Sequence, residues 1–144
     1  MIKYPLVFHA QAKSASGINS RWETSAPSLE QNLLSAIPPE FQGPGGGYSP
    51  EDFYALALCN CFIATFKVFA EKSNLAFSSL NVGLELSVDR DDKGMPWMAR
   101  AHLSANLVGV DSKEKAERLL EKTSKGCLVL NSVKTEKTFT FNVG

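Results

Sequence analysis

The sequence predicts an α+β fold, with antiparallel sheets packed on one long central helix. Three observations predict it. Leu80, Val82, Leu84, Leu86 and Val88 alternate with Asn81, Gly83, Glu85, Ser87 and Asp89 in strict period two, the pattern of a half-buried strand. Residues 49–74 carry apolar side chains at helical spacing on every side. The order of elements reads strands, long helix, two strands, helix, strand, which sets the helices against one side of a sheet.

The elements follow in chain order. Leu6, Phe8, Ala10 and Ala12 alternate with Val7, His9, Gln11 and Lys13, a strand pattern that stops at Gly17. Residues 21–24 and 29–34 read as two more short strands on either side of Pro27. Residues 38–47, rich in Pro and Gly, form a loop, because Pro withholds a hydrogen-bond donor and Gly resists ordering. Ser49-Pro50-Glu51-Asp52 starts a helix: Ser caps, Pro suits the first helical position, and two acids meet the positive end of the dipole. This helix is apolar all round, with Phe53, Ala57, Cys61, Ala64 and Val68 on one side and Leu56, Cys59, Phe62, Ile63 and Phe66 on others. A helix of that kind is expected to be covered on every face. One chain of this size offers too little cover, so a second copy is expected to supply the rest.

The 80–88 strand pairs through the turn at residues 89–94 with a second strand, in which Ala99, Ala101, Leu103, Ala105 and Leu107 alternate with Arg100, His102, Ser104 and Asn106. Asp111 or Ser112 caps a second helix through Ala116, Leu119 and Leu120, and Gly126 is expected to close it. Phe139, Phe141 and Val143 alternate in a last strand.

Composition narrows the function. A chain of 144 residues reads as a single domain over 1–144, large enough to bury a real core. Its 44% hydrophobic and 21% charged content excludes a disordered tail. Fifteen Lys and Arg balance fifteen Asp and Glu, so no broad basic footprint for nucleic acid is expected. The longest apolar run, residues 53–70, is interrupted by Asn60, Thr65 and Lys67, and no membrane partner is expected. Met1-Ile2-Lys3-Tyr4-Pro5 lacks a signal-peptide core. Three Cys, an odd number, then predict a reducing, cytoplasmic setting.

The cysteines are the residues with chemistry to offer. Cys59 and Cys61 are two apart, roughly 200° of helical rotation, so they point to opposite sides. The only histidines, His9 and His102, fall on the polar phase of strands, and no zinc site is expected. No Gly-x-Ser-x-Gly elbow exists. The 43–47 glycine loop lacks the Lys-Ser/Thr of a phosphate cradle. Taken singly, each Cys reads first as a small buried hydrophobe.

Phe41-Gln42-Gly43-Pro44-Gly45-Gly46-Gly47-Tyr48-Ser49-Pro50-Glu51-Asp52-Phe53, followed by Ala55-Leu56-Ala57-Leu58-Cys59-Asn60-Cys61-Phe62, resembles the osmotically inducible protein C and organic hydroperoxide resistance (OsmC/Ohr) superfamily. Its members carry a Gly-rich loop, a Ser/Asn-Pro-Glu motif and an Ala-rich helix with Cys eleven residues after the Pro, which here is Cys61. The family's second cysteine follows the second helix, usually before Pro. Cys127 takes that place here and is followed by Leu128. The resemblance spans nearly the whole chain.

It implies an intertwined homodimer and a thiol-dependent peroxidase. Cys61 would attack an organic hydroperoxide and become a sulfenic acid, and Cys127 would resolve it to a disulfide. No bound cofactor is implied; an external dithiol, of the lipoyl type, would reduce the disulfide. A thiolate buried in an apolar helix needs a cation. In the family an Arg from an early Gly-rich turn supplies it, held by the Glu of the Pro-Glu motif. Glu51 matches that Glu, although helix-start electrostatics explains it equally. Ile18 aligns with the family's Arg, and Arg21, three residues on, is the candidate cation or else a surface strand residue. Ten residues separate Glu51 from Cys61, about 15 Å along one helix, so the site must draw on another segment or subunit. Phe41, Tyr48, Phe53, Phe62 and Phe66 would give an apolar wall for an alkyl peroxide, or pack a core. The alternative is a relative without peroxidase activity that binds a small apolar ligand.

Overall fold

A computed structural model describes residues 1–144, which form two compact units, Met1–Phe53 and Tyr54–Gly144. In the first, β1 (Gln11–Lys13), β2 (Trp22–Ser25) and β3 (Leu33–Ser35) make an antiparallel sheet in sequence order. Gln11 pairs with Ser25, and Trp22 with Ser35. The sequence pattern places the first strand as early as Leu6. Ladder pairing begins only at Gln11, and Leu6, Val7 and Phe8 stay exposed. The Gly-rich loop folds back on β3, where the Tyr48 amide donates to the Leu34 carbonyl at 2.8 Å.

That loop delivers the chain to α1 (Pro50–Lys72) through a reciprocal cap. Ser49 Oγ accepts from the Asp52 amide at 3.0 Å, and an Asp52 carboxylate oxygen accepts from the Ser49 amide at 2.9 Å. Two otherwise orphaned donors are thereby satisfied at the position the sequence indicates.

In the second unit, β4 (Ser79–Arg90) and β5 (Pro96–Val108) form the long hairpin, paired from Ser79–Val108 to Arg90–Pro96 with an irregularity at Ser87/Val88. Asp91 closes the turn, its side chain accepting from the Lys93 and Met95 amides. α2 (Lys113–Gly126) and α3 (Leu128–Asn131) then lead to β6 (Glu136–Val143). Here the structure corrects the expectation of an antiparallel sheet, because β6 runs parallel to β5, from Arg100–Glu136 to Leu107–Val143. Parallel neighbours need a crossover of a dozen or more residues, and the two helices between β5 and β6 are that crossover.

Ser112 caps α2, its side chain accepting from the Lys115 amide. Gly126 does not close the helix from outside, as expected, but is its last residue. A Cβ there would lie 3.2 Å from Phe69 Cζ, so closeness to α1 favours glycine at this position.

The core sits between α1 and the inner face of the β4–β5–β6 sheet. Leu58, Phe62, Phe66 and Ala70, spaced four apart, are buried on it. Phe62 stacks on Phe139 with ring centroids 6.5 Å apart and tilts against Phe141 at 5.9 Å, and Phe66 meets Phe77 edge-on at 5.4 Å. Leu103, Ala105, Leu107, Leu120 and Leu130 complete it. The most apolar stretch of α1 has a mean hydropathy of 1.7, enough by length and composition to cross a membrane, yet its stripe packs on the sheet like a core helix. The expectation of cover on every face is not met within the chain: Leu56 is 41% exposed and Val68 49%.

Candidate functional site

Cys61 stands eleven residues past Pro50 on α1, beyond the first turn where the helix dipole acts. It is half-buried at the edge of the core. Cys127 lies at the junction of α2 and α3 with no exposure at all. Cys127 belongs to the core cluster that Cys61 packs against, and the two are neighbouring free thiols.

Two more groups complete the cluster. The Val129 amide, in the first turn of α3, donates to Cys61 Sγ at 3.4 Å. The Thr65 hydroxyl, one helical turn beyond Cys61, lies 3.8 Å from the same sulfur. Burial, and then the neighbouring Cys61 thiol, push the Cys127 thiol from 9.0 up to about 11. Cys127 therefore holds its proton at neutral pH. Burial alone pushes Cys59 upward.

Arg21 and Glu51 belong to the N-terminal unit. Arg21 Nε donates to the Gly45 carbonyl at 2.7 Å, and its guanidinium lies against Gly46. A Cβ on Gly46, whose φ is +77°, would stand 2.9 Å from Arg21 Nη2, so only glycine leaves this seat open. Glu51 Oε1 is buried without a hydrogen-bond partner. No ion pair joins Glu51 and Arg21: the chain's ion pairs are Arg100–Asp89 and Lys125–Glu121, both exposed. Of the four candidate site residues, the fold thus brings Cys61 and Cys127 together and leaves Arg21 and Glu51 without charged partners.

The aromatic side chains divide between the two readings, wall and core. Phe62 and Phe66 have no exposure and belong to the core, because their four-residue spacing places them on the sheet-facing stripe. Phe41 and Tyr48 stay half-exposed, and Tyr48 stacks on Phe53 at 5.5 Å. No group of three or more metal-ligating side chains is present. His102 spends both ring nitrogens on the Thr138 and Thr140 hydroxyls, at 2.6 and 2.9 Å.

Thr65 and the Val129 amide are members that sequence reasoning did not name. The signal for Thr65 was there: a hydroxyl four residues after a cysteine shares its helix face. Val129 contributes only backbone, which no side-chain motif advertises.

A loop, a capped helix, a cysteine eleven residues after Pro and a second cysteine beyond the next helix make a recognisable arrangement. The family model of the OsmC-like proteins matches residues 43–142. This chain is a member of the OsmC-like family. Its fold is also that of solved OsmC-like structures. An OsmC-like protein from Mycoplasma pneumoniae superposes with a TM-score of 0.80 at 14% identity, covering 97% of this chain and 99% of that one. An OsmC-like protein of unknown function from Vibrio cholerae gives 0.78 at 15% identity, over 94% and 99%. An organic hydroperoxide resistance protein from Elizabethkingia anophelis gives 0.71 at 18% identity, over 98% and 99%. A comparison with curated protein sequences finds no match. The family model begins at Gly43, so in this OsmC-like chain it covers Glu51, Cys61 and Cys127 but not Arg21.

Proposed function

We propose that this OsmC-like chain is a thiol-dependent peroxidase that reduces organic hydroperoxides. The observation that carries the proposal is the meeting of Cys61 and Cys127 as free thiols, with Cys61 Sγ the acceptor of a backbone amide.

The attacking thiolate belongs on Cys61, since Cys127 keeps its proton and is wholly buried. Cys61 sulfur attacks the outer oxygen of ROOH, and the O–O bond breaks. Cys61 becomes a sulfenic acid, and the alkoxide leaves as the alcohol after taking a proton. Cys127 sulfur then attacks Cys61 sulfur; the S–O bond breaks, a disulfide forms and water departs. An external dithiol of the lipoyl type restores both thiols, in the cytoplasm. Arg21 is proposed as the cation that favours the Cys61 thiolate and the charge building on the leaving oxygen. Glu51, with its unpartnered oxygen, is proposed as the carboxylate that orients it. The working unit is proposed to be a homodimer.

Peptide mapping after one equivalent of cumene hydroperoxide tests this. A Cys61–Cys127 disulfide within one chain is expected, with Cys59 free. A disulfide containing Cys59, or only interchain links, defeats the assignment. Unreacted thiols would favour an OsmC-like protein that binds an apolar ligand instead.

A further inference from the structure

A half-buried thiolate is costly unless hydrogen-bond donors or a cation offset the solvent it has lost. The hydrogen bonds on Cys61 Sγ come from two neutral groups of its own compact unit. The Val129 amide, 3.4 Å away, is a donor in every state of the sulfur. The Thr65 hydroxyl, 3.8 Å away, is a rotor that donates or accepts. Against a thiol either sense is open. Against a thiolate only donation is, because the sulfur then has no proton to give. In a helix a threonine hydroxyl often turns to the carbonyl one turn back. Here it is turned to sulfur, from within α1, while the amide comes from α3.

We propose that Thr65 is a catalytic residue of the peroxidatic step, its hydroxyl donating to the Cys61 thiolate alongside the Val129 amide. The inference rests on the peroxidase reading above. Thr65 makes and breaks no covalent bond. It lowers the energy of the charged sulfur before attack, so that more of Cys61 is thiolate at neutral pH. The same hydrogen bond makes that sulfur a slightly weaker nucleophile, because nucleophilicity falls with basicity. Loss of the hydroxyl should therefore slow the reaction at low pH and not at high pH, a signature that loosened packing does not produce.

The test uses the full chain and iodoacetamide, with fragment-ion mass spectrometry to tell Cys61 from Cys59. Cys127, the titratable group beside Cys61, keeps its proton to about 11, so a profile taken below that pH reports Cys61. In Thr65→Val, which keeps the shape and removes the hydroxyl, the midpoint of Cys61 alkylation should move up by about one pH unit. That is the low end for a hydrogen bond to a charged group, and the plateau should be no lower than the parent's. Thr65→Ala, a better helix former, should move alike and keeps the test open if the valine chain does not fold. Thr65→Ser should return the midpoint to that of the parent. Sulfenic acid formation from cumene hydroperoxide, counted by dimedone trapping, should follow the same profile in each chain. An unmoved midpoint in Thr65→Val or Thr65→Ala overturns the role, as does a shift that Thr65→Ser shares. A parent that forms sulfenic acid alongside unmoved variants overturns the Thr65 role alone. A parent that forms none overturns the peroxidase reading, and the catalytic role with it.

Discussion

Cys127 is a buried thiol held protonated by its surroundings, and that has two measurable consequences. At neutral pH a small neutral alkylating agent should modify Cys61 well before Cys127, by at least about tenfold, since the thiolate is the nucleophile. Protein mass spectrometry on a time course checks it. The second consequence is linkage. Folding raises the Cys127 thiol from 9.0 to about 11, so the folded chain holds that proton more tightly than the unfolded one. The stabilisation is complete below the ordinary thiol value and is lost as pH rises through about 11. Urea denaturation between these values should show stability falling with pH more steeply in the parent than in Cys127→Ala. Arg21 and Glu51 make the other prediction at this scale. Arg21→Ala should slow peroxide reduction at neutral pH by about 100-fold, with partial rescue at higher pH as more thiolate is supplied. Glu51→Ala should do less, and the double variant should fall short of the sum, because both act through one guanidinium. An Arg21→Ala chain as fast as the parent makes Arg21 a bystander.

Among the elements, the glycine loop and the start of α1 bear directly on the site. Gly46→Ala would put a methyl group 2.9 Å from Arg21 Nη2 at a φ of +77°, so it should cost about 1 kcal/mol of stability and reproduce part of the Arg21→Ala defect. Ser49→Ala removes the cap at a similar cost of about 1 kcal/mol, with Arg21 left in its seat. Denaturant midpoints and peroxide kinetics on the two variants separate loss of stability from loss of the guanidinium's position. The limits of α1, the β4–β5 hairpin and the Ser112 cap were legible in the sequence, because period and capping chemistry are local signals. The direction of β6 was not read from alternation, which is the same in parallel and antiparallel strands; the intervening helices held that information. Cys61 and Cys127 stood out as a pair only through the family resemblance, which fixes their places relative to Pro50 and the second helix. The hydrogen bond from the Val129 amide to Cys61 needed the turn at Cys127, which spacing alone does not fix. For Phe62 and Phe66 the choice between wall and core stayed open, because an all-apolar helix does not announce which stripe faces the sheet.

For the whole molecule, the apolar residues left uncovered set the last prediction. Leu56 and Val68 remain 41% and 49% exposed on α1, although the opposite stripe of that helix is wholly buried. In the N-terminal unit Ile2, Tyr4, Leu6, Val7 and Phe8 are all more than half exposed. Single exposed apolar side chains are ordinary, but clusters of this kind mark surfaces that another protein covers. A second copy of the chain is the cover proposed here, through an interface as apolar as a divided core. Light scattering and sedimentation should therefore find a homodimer that does not release folded monomer on dilution, with a thermal midpoint that rises with protein concentration. Val68→Glu should weaken the dimer, because it would bury an unpaired carboxylate, and peroxide reduction should fall as the dimer is lost. A fully folded monomer of the parent at nanomolar concentration, still reducing peroxide at the full rate, would show that each chain holds a complete site and that these surfaces serve some other contact.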